Sequence, residues 1–136
     1  MTKKYLDKLT YDILGAAIEV HKEIGPGLLE SVYHKCLIKE FTMRGIKFES
    51  ELWVDLNYKD EHLSTELRCD FLVEDSIVVE LKAVDVLHPV HTAKIMTYMK
   101  LLNKPKGVIV NFTCDNIFKS GQRTIVNELF RSLPDQ

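Results

Sequence analysis

The stretch Leu67-Arg68-Cys69-Asp70-Phe71-Leu72-Val73-Glu74-Asp75-Ser76-Ile77-Val78-Val79-Glu80-Leu81-Lys82-Ala83 decides the fold. Its two apolar runs read as strands over 64–73 and 77–83, and the polar break Glu74-Asp75-Ser76 is short enough for a hairpin. Alternation puts Val78, Glu80 and Lys82 on one face of the second strand and Val79 and Leu81 on the other. A carboxylate and an ammonium thus stand in a hydrophobic strand, beside a neighbour that carries Asp70. Burying charge is costly unless the charges are paired or hold a metal. One reading is an Asp/Glu–Lys salt bridge. The other is a magnesium site, because that ion takes one or two protein carboxylates and keeps several waters. Asp70 and Glu80 would supply the carboxylates and the Leu81 backbone carbonyl a third oxygen. Lys82 would orient a water or stabilise charge on a phosphate.

Working outward, helical spacing predicts a first helix over 10–24, capped by Thr10, with Ile13, Leu14, Ala17, Ile18, His21 and Ile24 on one face. Gly25-Pro26-Gly27 stops it. A second helix over 28–44 buries Leu29, Val32, Tyr33, Cys36, Leu37 and Phe41, and Gly45 ends it. Period-two alternation then predicts a long strand over 46–58, turning at Lys59-Asp60-Glu61. After the hairpin, a helix over 89–102 starts at Pro89 and turns Ala93, Met96, Met99 and Leu102 inward. The run Lys106–Phe112 reads as a buried strand of the parallel kind. Part of the tail, 117–133, reads as a closing helix. The order is ααβββαβ plus a C-terminal tail: an α/β sandwich around a mixed sheet, forming a single domain over 1–136.

Composition narrows the classes. The chain has 136 residues, 46% hydrophobic and 28% charged, enough to fill one core without disulfides. Three scattered cysteines with no CxxC pair exclude a zinc knuckle and suit reduced thiols. No apolar run approaches a bilayer span, and the start has no signal-peptide hydrophobic region, so a cytoplasmic location with no membrane contact is expected. The net charge of −2 conceals an asymmetry: residues 1–81 hold 10 Lys/Arg against 16 Asp/Glu, and residues 82–136 hold 8 against 4. The balance is not that of a non-specific nucleic-acid binder, yet a basic surface facing an acidic cluster is compatible with it.

Other residues have two readings each. Glu30 at the second helix start is a carboxylate favoured by the helix dipole, and Tyr33, one turn on, packs in the core with its hydroxyl at an edge. His88 and His91 flank the third helix start without an HExxH or a third nitrogen ligand, which argues against zinc. His91 either makes a helix-start hydrogen bond or, near the acidic site, assists proton transfer or meets a phosphate. Lys100, Lys104, Lys106, Lys119 and Arg123 are solvated surface singly and a candidate phosphate track together. Trp53 reads most simply as core or sheet-face packing, and nothing else in the sequence stands behind a base-stacking role.

Gly27-x-x-Glu30-x-x-Tyr33 resembles the signature of the GxxExxY proteins, small prokaryotic proteins assigned to the PD-(D/E)xK nuclease-like superfamily. The resemblance extends through GPGLLESVYHKCL at 25–37, LRCDFLVEDSIVVELKAV at 67–84, HPVHTAKIMTYMKLLNKPKGVIVNF at 88–112 and GQRTIVN at 121–127. It implies a three-layer, restriction-endonuclease-like core with the catalytic carboxylates on the central hairpin. Asp70 then corresponds to the hairpin aspartate, Glu80 and Lys82 to the ExK pair, and Glu30 to the acidic residue that the preceding helix adds to the metal site. Tyr33 either supports Glu30 or packs, and stands with Lys94, His91, Lys100 and Arg123 among candidates for substrate contact. Where relatives commonly show His-x-Ala-Gln, this chain reads His91-Thr92-Ala93-Lys94. A lysine there suits contact with phosphate, or else pairs with Glu80.

The function expected is a nuclease or related phosphodiesterase dependent on Mg²⁺ or Mn²⁺, acting on DNA or RNA. The alternative is a catalytically silent nucleic-acid-binding or protein-interaction module of the same fold. A hydrolase of small phosphorylated molecules lacks any GxxxxGK or GxGxxG loop to support it. A domain of this size is compatible with a homodimer or a partner protein completing the groove.

Overall fold

The computed structural model describes residues 1–136. Helix α1 (Lys3–Ile24) starts at Lys3 rather than at Thr10. Thr2 is the cap, its hydroxyl accepting the Tyr5 N–H at 3.0 Å. Leu6 and Leu9 carry the buried stripe back to that end, and the Thr10 hydroxyl donates to the Leu6 carbonyl from inside the helix. Gly25 and Gly27 take positive φ (74° and 94°) on either side of Pro26, and α2 (Glu30–Met43) follows. Its buried stripe is Tyr33, Leu37 and Phe41. Leu29 and Val32, expected inward, are exposed, as are Ile18 and Ile24 of α1. Leu29 precedes the helix, and the others lie on the flanks of stripes narrower than spacing suggested.

The long strand expected over 46–58 is two strands. β1 (Phe48–Trp53) joins the main sheet; β2 (Leu56–Tyr58) turns through Lys59 and Asp60, both at positive φ, and pairs only with β3 (Glu61–Leu63). Val54 separates them, buried, its N–H donating to the Leu67 carbonyl at 2.8 Å. The central hairpin is β4 (Arg68–Val73) and β5 (Ile77–Lys82), so the first of its strands starts later than residue 64. Helix α3 (Pro89–Leu102) has the expected bounds and buries Met99 as expected, but Ile95 and Tyr98 join it inward, while Ala93 and Met96 are exposed.

Strand β6 (Lys106–Asn111) is buried throughout and parallel to β5. The part of the tail that is helical amounts to two single turns rather than a longer closing helix. The tail forms a turn of helix, α4 (Ile117–Ser120), a fifth strand of the main sheet, β7 (Gln122–Val126), and a last turn, α5 (Glu128–Arg131). Gly121 makes the break: a Cβ there would lie 2.7 Å from the Asn111 carbonyl oxygen and 2.5 Å from Cys114 Sγ. The β-branched run Thr124-Ile125-Val126 then pairs antiparallel with β6.

The sheet order is β1-β4-β5-β6-β7. Under one face α1 and α2 form the larger core with Phe71, Val79, Leu81 and Val110. On the other face α3 packs with Leu72, Val78 and Ile109. This is the three-layer mixed α/β sandwich expected. The parallel β5–α3–β6 crossover makes the carboxyl ends of β5 and β6 the natural place for a site. No helix is long and apolar enough to cross a membrane.

Candidate active site

The central strands are regular until one level of the sheet. Phe71 lies in the core under α1 and α2, and its β1 partner Ser50 has its Oγ 2.7 Å from His34 Nε2 of α2. Two residues back, Cys69 and its partner Leu52 pack on the α3 side. Residues two apart in a regular strand share a face, so both strands twist over between these levels. The intervening residues are Glu51, at φ 53°, and Asp70. The β4–β5 register also ends one step short of Asp70, at Phe71 opposite Val79. Asp70 therefore sits where β4 leaves regular pairing on both sides.

Its carboxylate occupies the gap. Asp70 Oδ2 accepts the Leu81 N–H at 2.7 Å, and the Asp70 N–H donates to Glu80 Oε2 at 3.3 Å. Lys82, the next residue along, gives its carbonyl to Phe112 N–H on the β6 side. Backbone groups alternate sides along a strand, so the Leu81 carbonyl faces the same gap as its N–H. Glu80 is 4% exposed, and its Oε1 is buried with no hydrogen-bond partner. Burial first, and the neighbouring Asp70 carboxyl second, push its carboxyl from 4.5 up to about 9. Two carboxylates side by side can be joined only by a proton or a cation.

Lys82 is half-buried and Lys94 is exposed. Neither enters an ion pair, nor do Asp70, Glu80 or Glu30. The salt-bridge reading of the trio is therefore set aside: Lys82 stands beside the carboxylates without neutralising them. The Lys94 ammonium lies 5.5 Å from the Tyr98 ring centroid, free of the pairing with Glu80 that was considered.

Glu30 opens α2 and lines a cleft of about 350 Å³ with Ser31, His34, Lys35, Glu51 and Asp70. Burial raises its proton affinity, Lys82 opposes that, and Asp70 adds to it. It shares the cleft with Asp70, but no three carboxylate, histidine or cysteine side chains converge as a metal cluster. The donor set in contact is the pair Asp70 and Glu80. Burial, with Glu80 and Asp70 nearby, also keeps the Cys69 thiol protonated.

Tyr33 is fully buried, so it does not touch substrate. Its ring stacks on Phe112 with centroids 4.2 Å apart; its hydroxyl donates to the Gly25 carbonyl at 2.6 Å and accepts the Leu28 N–H at 3.2 Å. The glycine, glutamate and tyrosine of the signature thus act together: positive φ at Gly27 makes the turn, Tyr33 ties it down, and α2 begins at Glu30.

His91 makes the helix-start bond, its Nδ1 accepting the His88 N–H at 3.1 Å. Partial burial first, then Lys82 and His88, lower its proton affinity. Arg123 of β7 donates to Thr92 Oγ1 at 2.8 Å and lines a separate cleft of about 600 Å³ with Asp85, Asn111 and Cys114. Lys100 lies at the opposite end of α3, in a cleft with Asn103 and Asn127, and does not reach the carboxylates. Of the wider basic track, Lys104 and Lys106 are tied to Asp75 and Asp7, each at 2.9 Å. Trp53, expected to pack, is 58% exposed. Glu51 and His34 join the cleft without any sign in the spacing, since a positive φ inside a strand leaves no sequence signal.

The sequence model of a protein family described as the PD-(D/E)XK nuclease superfamily matches residues 7–124. No curated protein and no solved structure matches the chain.

Proposed function

This chain belongs to the PD-(D/E)XK nuclease superfamily, and from that premise we propose that it hydrolyses phosphodiester bonds of DNA or RNA with Mg²⁺ or Mn²⁺. The observation that carries the reading is Glu80 Oε1, a buried carboxylate oxygen without a partner beside a second carboxylate. Native proteins rarely leave such an atom unanswered. The donors present fit a hard divalent cation: Asp70 and Glu80 would hold it with the Leu81 carbonyl, which suits an ion that keeps most of its waters. When bound, the cation would supply Lewis acidity and make its water easier to deprotonate.

The chain's own residues supply the rest. The Leu81 N–H fixes the Asp70 carboxylate, so one ligand is oriented before anything binds. Lys82, free of any counter-ion, is the group to orient the attacking water and to stabilise charge on the phosphate. Lys94 reaches the same side from α3 and offers a second cation to the phosphate. Glu30, tied in place by the Tyr33-locked turn, is the further acidic group that borders the cleft. We propose the GxxExxY group as the narrower assignment, supported by Gly27, Glu30 and Tyr33 acting as that unit.

The test is calorimetric titration of Mn²⁺ into wild type and the Asp70→Asn/Glu80→Gln double variant, followed by cleavage assays on labelled DNA and RNA. Saturable binding and cleavage lost together in the folded double variant is the result expected. Nucleic-acid binding in chelator, with neither metal binding nor cleavage in wild type, would assign the chain to the silent-module reading.

A further inference from the structure

Trp53 is the only tryptophan of the chain, and it stands directly across from Arg68 in the β1–β4 register. The Arg68 guanidinium lies 5.2 Å from its ring centroid, and Glu51 Oε2 is 3.8 Å from that guanidinium. Arg68 thus covers one side of an indole that is still 58% exposed, which leaves the rest of the ring open. Single apolar side chains on a surface need no explanation by themselves. This one differs in its place. Arg68 precedes Asp70 by two residues, roughly 7 Å of extended strand, and Glu51, which tethers Arg68, also lines the cleft that holds Asp70 and Glu30.

An aromatic face with a cation upon it, tethered to an acidic cleft whose Glu30 feels the unpaired Lys82 and Lys94, offers what an unpaired nucleic-acid strand requires. Bases stack on the ring whatever their identity, and the cations follow the backbone. A base in an intact duplex offers its face to neither, because it is already stacked.

Resting on the nuclease reading, we propose that Trp53 and Arg68 form a stacking platform for an unpaired nucleobase. The substrate is accordingly a single-stranded segment laid from the platform toward Asp70 and Glu80. The cross-strand pair holds a base one or a few nucleotides from the scissile phosphate, and Glu51 links Arg68 to the cleft that holds Asp70.

The indole is its own reporter. The full chain in chelator is titrated with a single strand of oligothymidylate, its RNA counterpart, an abasic strand of equal length, and a duplex. Tryptophan fluorescence is followed, and binding is read independently by anisotropy of a label on the nucleic acid. The expected result is quenching by the base-bearing single strands only, with affinity about tenfold or more weaker in Trp53→Ala and largely retained in Trp53→Phe. Trp53 is exposed, so both variants keep the fold, which thermal melts verify. Unchanged affinity in Trp53→Ala, or equal quenching by the abasic strand or the duplex, overturns the platform and leaves the cleavage reading standing. Absence of anisotropy change with every nucleic acid overturns the platform, and absence of cleavage in Mn²⁺ as well overturns the nuclease reading with it.

Discussion

The Asp70 carboxylate accepts the Leu81 amide at 2.7 Å, across the gap left where β4 turns out of register with β5. One side chain thus closes the sheet locally and lines the cleft with a carboxylate. The two roles separate by substitution. Asp70→Asn keeps a carbonyl oxygen to accept the N–H and is expected to melt close to wild type. Asp70→Ala leaves a part-buried amide unpaired and loses about 1–3 kcal/mol. Both lose Mn²⁺ binding by calorimetry. Equal melting of the two variants, both well below wild type, would show that the negative charge rather than the hydrogen bond holds the strands.

Glu80 makes stability fall as pH rises. Its carboxyl titrates at about 9 in the fold against an ordinary 4.5, so between those values the folded chain holds a proton that the unfolded chain has released. The folded state binds more protons, and unfolding becomes easier with increasing pH across that window. Glu80→Gln removes the dependence. Its melting temperature is expected to exceed wild type by on the order of 5 °C at pH 8, with the gap closing toward pH 5. Saturating Mn²⁺ should raise wild type at pH 8 and leave the variant unmoved. A gap that stays constant from pH 5 to pH 9 would exclude titration of Glu80 as its cause.

Much of this arrangement was legible because it follows from periodicity. The hairpin, the α3 bounds and the parallel β6 come from alternation, a Pro89 start and a continuous apolar run, all signals that tertiary contacts reinforce. The pairing of Asp70 with Glu80 followed from the same alternation. What escaped depends on contacts far apart in sequence. β7 is short and half-polar, and becomes a strand because β6 offers it an edge. α1 extends to Lys3 because Thr2 caps it and Leu6 finds a core. The inversion of both strands at Glu51 and Asp70 is a backbone event without a residue-type signature. That event decides that Glu51 enters the cleft and that Trp53 faces water.

Tyr33→Phe tests the turn that carries Glu30. The variant keeps the ring stacked on Phe112 and loses only the hydroxyl that bridges Gly25 and Leu28. A loss of about 1–2 kcal/mol is expected by chemical denaturation. Amide exchange should quicken at Leu28, whose N–H loses its acceptor, and cleavage should fall further than it does in an equally destabilised control such as Leu37→Val. Proportionate losses in the two variants would reduce Tyr33 to packing alone.

Lys82 is the residue on which catalysis and stability part company. Its ammonium has no ion-pair partner, so Lys82→Met removes no bond that the fold depends on, and melting should stay within about 0.5 kcal/mol of wild type. Cleavage should drop at least about 100-fold, the effect of removing a group aimed at transition-state charge. Mn²⁺ binding persists, since the carboxylates remain. A spectroscopic sign accompanies this: Lys82 is the main influence lowering the proton affinity of Glu30, so the Glu30 carboxyl, followed by carbon NMR, should titrate at higher pH in Lys82→Met. Retained cleavage with a shifted Glu30 would assign Lys82 to tuning the acidic cleft and leave Lys94 as the cation that meets the phosphate.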